Sequence, residues 1–257
     1  MKRIERKASK TPGRRWKIVF LFDVDNTLLD NDRVIADLKT HLNREVGAND
    51  ARHYWQIFER LRARLGYADY LGSLQRYRRE HPRDLHLLTV SRFLINYPFA
   101  KRLYPKSLDV IQHVKRWGLP VLLSDGDVVF QPHKVDCSGL YRAVVGRVLI
   151  YVHKERELAD VAARFPADHY VLVDDKLHIL AAVKKIWRSR VTTVFVRQGH
   201  YARDPKILAT RPAADVTIDR IGDLLKFEPS PVPLPYPLPD PHPASGHPLP
   251  SDGRGAG

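Results

Sequence analysis

The chain has 257 residues, of which 44% are hydrophobic and 28% charged, and its net charge is +14. These values are ordinary for globular domains and exclude a fully disordered or fibrous protein. The single cysteine, Cys137, excludes an internal disulfide and a thiol-rich zinc site. No apolar run approaches the roughly 18–20 residues that span a bilayer, so we expect a cytoplasmic protein without a membrane partner.

Positive charge is concentrated in two parts of the chain. Residues 1–17 carry eight lysines and arginines against one glutamate, and residues 31–107 carry fifteen against eight acidic residues. A basic segment of this kind indicates contact with nucleic acid or another anion. We predict that residues 1–17 form a disordered, solubilising arm, with nucleic-acid binding as the alternative.

Short apolar runs predict buried parallel strands, because strands covered by helices on both faces are apolar throughout. The runs are Ile18–Phe22, Pro120–Ser124, Val144–Ile150, Tyr170–Val173 and Val191–Val196, with Val216–Ile218 as a short sixth candidate. Helical patterns lie between them, at Leu108–Trp117, Arg156–Phe165 and Leu177–Arg188. This alternation predicts an α/β core made of residues 18–30 and 108–227, with right-handed crossovers.

Residues 31–107 interrupt this rhythm, because no strand pattern occurs there. Helical spacing relates Tyr54, Phe58, Leu61 and Leu65, and a further helix is predicted over Asp84–Tyr97. We therefore predict an all-helical insertion whose aromatic residues form its own core.

The C-terminal segment, residues 228–257, holds ten of the nineteen prolines. Such a composition makes neither a helix nor a strand ladder. We predict a disordered, partly polyproline tail, with a ligand for a proline-reading domain as the alternative.

Two carboxylates, Asp23 and Asp25, follow the first predicted strand. In an open α/β sheet, ligands bind beyond the carboxyl ends of the strands. Two acids at such a position repel each other, and a divalent cation with a preference for oxygen ligands, such as Mg²⁺, relieves that repulsion. One acid of the pair can then attack while the other moves a proton.

Three later segments add to this pattern. Ser124 ends an apolar strand, and its hydroxyl and the backbone N–H groups from Asp125 onward can bind a phosphoryl oxygen. Lys154 stands at the predicted start of a helix, where its charge can neutralise a phosphate and a carboxylate. Asp174 and Asp175 end another apolar strand, and paired acids there are costly without a cation.

Taken together, the ordered set resembles the haloacid dehalogenase-like (HAD) hydrolase superfamily: Asp23-x-Asp25-x-Thr27, Ser124, Lys154 and Asp174-Asp175. The resemblance extends over roughly residues 18–220. It implies a Rossmann-like, mostly parallel sheet flanked by helices. The insertion at residues 31–107 is similar to the C1-type helical cap of phosphatase-type members.

The resemblance also implies roles for the site residues. Asp23 would be the nucleophile that forms an aspartyl-phosphate, Asp25 the acid and base, and Lys154 the link between phosphate and nucleophile. Lys134 and Lys176 are the alternative lysines, because Glu155 follows Lys154 where related phosphatases have a proline-flanked motif.

Substrate binding and metal ligation are assigned in the same way. Thr27 would steady the loop that carries Asp23 and Asp25 (the acid loop), while Ser124 and the backbone at Asp125 would bind the phosphoryl group. Mg²⁺ would be held by Asp23, by Asp25 through its backbone carbonyl, and by the pair Asp174 and Asp175, in which Asp175 would ligate and Asp174 would assist directly or through water; the sequence leaves open which of the two is the direct ligand.

These roles predict a Mg²⁺-dependent phosphate monoester hydrolase that acts on a small phosphorylated metabolite. The second acid, Asp25, favours a phosphatase over a dehalogenase, because a phosphate ester needs a proton donor and a metal site. A phosphomutase, and a non-catalytic or nucleic-acid-associated binding protein on the same scaffold, are the alternatives. For contact with a second acidic group of the substrate, the candidates are Arg33, Arg76, Arg78 and Arg79.

Overall fold

The computed structural model describes residues 15–209 and 212–227. The predicted tail, residues 228–257, and residues 1–14 of the predicted arm lie outside this part of the chain. Within it, no helix combines the length and the apolar character that crossing a membrane requires.

Six parallel strands form one sheet. They are Trp16–Phe22 (β1), Leu119–Asp125 (β2), Val148–Tyr151 (β3), Ala167–Asp174 (β4), Val191–Val196 (β5) and Val216–Ile218 (β6). Their order is β3-β2-β1-β4-β5-β6, so the chain first winds from β1 to one edge and then returns beside β1 to wind to the other. The point of reversal lies between β1 and β4, where open α/β sheets bind their ligands.

Helices connect the strands and cover the sheet. They are Asn31–Leu65 (α1), Tyr70–Glu80 (α2), His86–Ile95 (α3), Ser107–Val114 (α4), Phe130–Cys137 (α5), Leu140–Ala143 (α6), Leu158–Arg164 (α7), Leu177–Trp187 (α8) and Pro205–Ala209 (α9). The predicted Rossmann-like, parallel α/β architecture is confirmed.

The sheet is apolar on both faces, as the continuous apolar runs predict. Along β1, Phe20 and Phe22 belong to one buried cluster, whereas Val19 and Leu21 belong to the other. Successive side chains of a strand point to opposite faces, so each cluster is one layer between sheet and helices. Because both faces of the sheet are covered, the polar residues that follow the strands lie at the edge formed by the carboxyl ends of the strands.

Between β1 and β2 the structure describes helices and a 3₁₀ turn at Phe99–Arg102, and no strand. The chain leaves and re-enters the sheet layer at one place, because Leu29 and Leu103 form an antiparallel bridge. Helix α1 is broken at Gly47, whose φ of 82° and ψ of 164° are not helical. The ring of Tyr70 in α2 lies 5.3 Å from that of Phe130 in α5, so the insertion packs against the β2–α5 unit.

Several element boundaries differ from the prediction by a few residues, and the start of β3 differs most. The run Val144–Ile150 was predicted as one strand, but β3 begins only at Val148, because Val145 and Gly146 adopt positive φ angles of 53° and 74° and turn the chain. Strand β1 begins at Trp16, two residues earlier than predicted. Neither difference moves a polar residue away from the carboxyl ends of the strands.

Candidate active site

The carboxyl ends of β1 and β4 bring three aspartates together. Asp23 directly follows β1, Asp174 is the last residue of β4, and Asp175 comes next. The backbone N–H of Asp23 donates to the carbonyl of Val173 at 3.0 Å, which fixes the two strand ends side by side. One carboxylate oxygen of each aspartate lies within 4.8 Å of the other two, and all three residues are buried.

The ammonium of Lys154 lies within this cluster. Its Nζ is 2.5 Å from Asp23 Oδ1 and 2.7 Å from Asp174 Oδ2, and the side chain is buried. Burial alone would lower the pKa of Lys154, but attraction by Asp174 and Asp23 outweighs it and raises the pKa well above the usual value. Of the three lysines considered from the sequence, Lys154 is the one that contacts Asp23.

The position of Lys154 is set by the turn after β3. This turn is a 3₁₀ turn over Lys154–Arg156 rather than the predicted start of a helix. The backbone N–H of Lys154 donates to Asp125 Oδ1 at 2.8 Å. Burial raises the pKa of Asp125 although Lys154 opposes the shift. The carboxylate of Asp125 therefore anchors the lysine turn, and binding of substrate at Asp125 stays a prediction.

The acidic cluster has more negative charge than its lysine neutralises. Among the described residues, Asp23 Oδ2 and both carboxylate oxygens of Asp175 have no hydrogen-bond partner, although all are buried. Burial raises the pKa of Asp174 to about 6 and that of Asp175 well above its usual value. Converging carboxylate oxygens without partners are suitable ligands for a divalent cation, so the residues present fit such an ion.

Asp25 lies apart from the three clustered carboxylates and has a different partner. Both of its carboxylate oxygens accept from Lys134 Nζ, at 2.8 Å and 2.9 Å. Lys134 in α5 is buried and also donates to Asn31 Oδ1 at 3.0 Å, whereas the side chain of Asp25 is 23% exposed. Asp25 is thus fixed in one orientation while it still faces open space.

A tight turn carries Asp23 and Asp25. Asn26 adopts φ 61°, and its side-chain amide both donates to Asp32 Oδ1 and accepts from the Asp32 backbone N–H. Gly199 packs directly on this turn, since a Cβ at that position would lie 2.5 Å from the Cβ of Asn26. The loop after β5 therefore supports the acid loop from outside.

Thr27, in the acid loop, and Ser124, near the end of β2, are both buried. The hydroxyl of Thr27 has no hydrogen-bond partner among the described residues, so the steadying role predicted for it stays a prediction. Ser124 Oγ accepts from Gln131 Nε2 at 3.0 Å. Gly126 permits this contact, because a Cβ there would lie 2.6 Å from the Cβ of Gln131.

A cavity of about 380 Å³ opens beside Asp25 and Asp125. Its walls come from the acid loop, from the C-terminal end of α1, from α5 and from the loops that follow β3, β4 and β5. Arg62 and Arg156 line it, whereas the four arginines considered from the sequence (Arg33, Arg76, Arg78 and Arg79) are not among its lining residues.

Comparison with known proteins decides the family. A profile of the haloacid dehalogenase-like hydrolases matches residues 19–200. The chain belongs to this family. A solved haloacid dehalogenase-like hydrolase from Burkholderia xenovorans LB400 is 62% identical, and the match covers 82% of this chain and 99% of that one with a TM-score of 0.79. A search of curated proteins gave no match.

More distant HAD-like structures share the fold. L-2-haloacid dehalogenase from Xanthobacter autotrophicus, solved with chloropropionic acid covalently bound, is 17% identical, with a TM-score of 0.52 and coverage of 81% of this chain and 96% of that one. The HAD hydrolase YfnB from Bacillus subtilis, solved with magnesium, is 16% identical, with a TM-score of 0.54 and coverage of 83% and 98%.

In this HAD-like hydrolase, sequence reasoning missed the partner of Asp25. Lys134 entered only as an alternative to Lys154, yet it is four residues after the buried Phe130 on the same face of α5. A lysine on a buried helix face needs an anionic partner, because an unpaired buried charge is costly. That signal points to a buried ion pair but does not identify Asp25 as the partner.

Proposed function

We propose that this HAD-like hydrolase is a Mg²⁺-dependent phosphate monoester hydrolase that acts on a small phosphorylated metabolite through an aspartyl-phosphate on Asp23. The observation that carries the proposal is the Asp23–Asp174–Asp175 cluster, in which Lys154 occupies one side and three buried carboxylate oxygens keep no partner. Mg²⁺ held by these carboxylates would neutralise the phosphoryl group and draw it toward Asp23.

Asp23 supplies the nucleophile. One oxygen of the Asp23 carboxylate attacks phosphorus while the other remains available to the cation, and Lys154 holds the carboxylate through Oδ1. The bond from phosphorus to the ester oxygen breaks as the bond to the attacking Asp23 oxygen forms. The charge of Lys154 also offsets the negative charge of the phosphoryl oxygens near the carboxylate. Ser124 and the backbone after it would bind another phosphoryl oxygen.

Asp25 moves the protons. It lines the cavity, two residues after Asp23 in the same loop, and Lys134 fixes its orientation. Asp25 would give a proton to the leaving oxygen and then take one from the water that hydrolyses the aspartyl-phosphate, which regenerates Asp23 and releases inorganic phosphate. A halide leaves without a proton, so a second acid at this position supports a phosphatase over a dehalogenase.

The test measures phosphate release from an aryl phosphate with and without Mg²⁺. We expect Mg²⁺-dependent turnover by the wild type and a loss of about 10³-fold or more for Asp23→Asn. Asp109→Asn is the matched control, because Asp109 is an exposed aspartate of α4. Undiminished turnover by Asp23→Asn, or chloride release from 2-chloropropionate without any phosphatase activity, overturns the proposal.

A further inference from the structure

The charged side chains that line the cavity are partly paired within the protein and partly turned to solvent. Lys134 pairs with Asp25 and Asp125 accepts from the Lys154 backbone, whereas Arg156, 3.8 Å from Glu155, is 71% exposed, so water screens its charge. Two further cations line the same cavity, Arg62 and Lys176. Their partners therefore decide whether the cavity keeps positive charge for a ligand.

Arg62 and Lys176 keep most of their charge. Among the residues described, the nearest carboxylate to Arg62 is that of Glu59, one turn earlier in α1, at 3.6 Å. The Glu59 side chain is 63% exposed, so water screens this ion pair and Arg62 keeps most of its positive charge. No carboxylate of the described residues lies within 4 Å of the Lys176 ammonium.

Both cations face the same aromatic ring. The guanidinium carbon of Arg62 lies 5.8 Å from the centre of the Tyr201 ring, and Lys176 Nζ lies 5.7 Å from it. Arg62 comes from the insertion, Lys176 follows the acid pair at the end of β4, and Tyr201 follows β5. Three separate segments therefore place two positive charges around one ring at the cavity wall.

The end of α1 is built to hold Arg62 there. Gly66 ends the helix with φ 84°, and its N–H donates to the Arg62 carbonyl at 2.9 Å. A Cβ on Gly66 would lie 2.4 Å from the ring of His153, so the absence of a side chain lets α1 end against the turn after β3. The way in which α1 ends therefore fixes the backbone of Arg62 next to the turn after β3, and the side chain extends from there to the cavity.

We propose that Arg62, with Lys176, binds a second anionic group of the substrate, so that the substrate is a phosphate ester of a small acid. This inference rests on the proposed phosphatase function and names the substrate class of the same site. Guanidinium groups bind carboxylates and phosphates through paired hydrogen bonds, and Tyr201 gives the anion a flat wall. A cavity of about 380 Å³ suits a small acid, being at the lower end of the range for ligand pockets.

The first experiment compares two aryl phosphates that differ in one carboxylate, phenyl phosphate and carboxyphenyl phosphate, in saturating Mg²⁺. We expect the wild type to prefer the carboxylated substrate in kcat/KM by about 10-fold or more, and Arg62→Met to lose that preference. Arg62→Lys keeps the charge but not the paired donors, and we expect an intermediate preference. Arg60→Met, which removes an equal charge from the exposed side of α1, should retain the wild-type preference.

The second experiment does not depend on turnover. Calorimetry measures the binding of phosphonoacetate and of methylphosphonate at fixed free Mg²⁺. We expect the wild type and Arg60→Met to bind phosphonoacetate about 10-fold more tightly than methylphosphonate. Arg62→Met should bind the two phosphonates with equal affinity. Absence of all phosphatase activity would refute the proposed function, while this measurement still tests the anion site. Equal binding of the two phosphonates by the wild type, or an equal loss of preference in Arg60→Met and Arg62→Met, overturns the inference.

Discussion

Lys134 holds Asp25 through both carboxylate oxygens, with Nζ at 2.8 Å from Oδ1 and 2.9 Å from Oδ2. The lysine is buried, whereas Asp25 is partly exposed at the cavity. The pair joins α5 to the acid loop, two parts of the chain more than a hundred residues apart. The proposed role of Asp25, to donate and then take a proton, requires the carboxylate to keep its position through the reaction, and this ion pair provides that position.

Replacing Lys134 by Met should therefore lower kcat more than it changes KM. We expect kcat for an aryl phosphate to fall about 10-fold or more, because Asp25 loses its fixed orientation. The free energy of unfolding should fall by about 2 kcal/mol, less than the loss of a fully buried pair costs, since water still reaches Asp25. Lys115→Met, at an exposed lysine after α4, is the control, and equal kcat in both variants would contradict the prediction.

Asp175 should destabilise the metal-free protein. Both of its carboxylate oxygens are buried without a partner among the described residues. Burying this carboxyl group costs free energy, either as a buried charge or as the uptake of a proton above about pH 4, and Asn carries neither cost. We therefore expect Asp175→Asn to raise the free energy of unfolding in EDTA at neutral pH by about 1–2 kcal/mol. The same variant should lose the stabilisation that Mg²⁺ gives the wild type.

Chemical denaturation with and without Mg²⁺ measures both effects. Asp168→Asn, at an exposed aspartate of β4, should change neither. A decrease in the stability of metal-free Asp175→Asn, with Mg²⁺ stabilisation retained, would show that Asp175 has a structural role instead.

The stability of the metal-free protein should depend on pH through the same cluster. Unfolded aspartates titrate near pH 4, whereas burial raises the pKa of Asp174 to about 6 and that of Asp175 well above its usual value. The folded protein thus keeps protons that the unfolded chain has released. This contribution to stability is complete below about pH 4 and is lost as the pH rises through about 6 and beyond.

The proposed site binds Mg²⁺ through deprotonated carboxylates, so the increase in Tm on adding Mg²⁺ should grow with pH. The comparison is between Tm in EDTA and Tm in Mg²⁺ at about pH 5, 6.5 and 8. Asp109→Asn serves as the control, since Asp109 is exposed on α4 and should follow the wild type. An Mg²⁺-induced shift that is the same at all three values would contradict this reasoning.

The sequence predicted the parallel α/β fold because its signals are local. Continuous apolar runs mark strands with two covered faces, and an acid directly after such a run, as at Asp23 or Asp174, must lie at the carboxyl edge of the sheet. That edge is shared by all parallel strands, so convergence of these acids follows from topology. The third strand was misplaced because Val144 and Val145 are apolar but belong to a turn, which composition does not reveal.

Contacts that depend on the packing of distant elements were not predictable in the same way. Lys134 could be identified as a buried cation from its helical position, but its contact with Asp25 requires α5 to lie against the acid loop. Likewise, Arg62 is one of many arginines in the insertion, and only the end of α1 at Gly66 brings it to the cavity. The strand periodicity therefore reveals the edge that holds the acids, whereas the cavity walls depend on tertiary packing.

Gly199 should matter for catalysis although it lies outside the acidic cluster. It adopts φ 71°, and a Cβ there would lie 2.5 Å from the Cβ of Asn26 in the turn that carries Asp23 and Asp25. Gly199→Ala should therefore cost about 1 kcal/mol for the left-handed backbone and more for the displaced turn, and it should lower kcat about 10-fold or more.

Gly139 provides a matched control for this change. Its φ is 82°, so alanine there meets the same backbone strain, but no atom lies within 4 Å of the added Cβ. Gly139→Ala should lose about 1 kcal/mol of stability and keep wild-type kcat. The two substitutions share the backbone strain, so a lower kcat in Gly199→Ala alone would arise from the steric clash of the new Cβ with Asn26. Equal kcat values in the two variants would contradict the prediction and mean that the acid loop tolerates this clash.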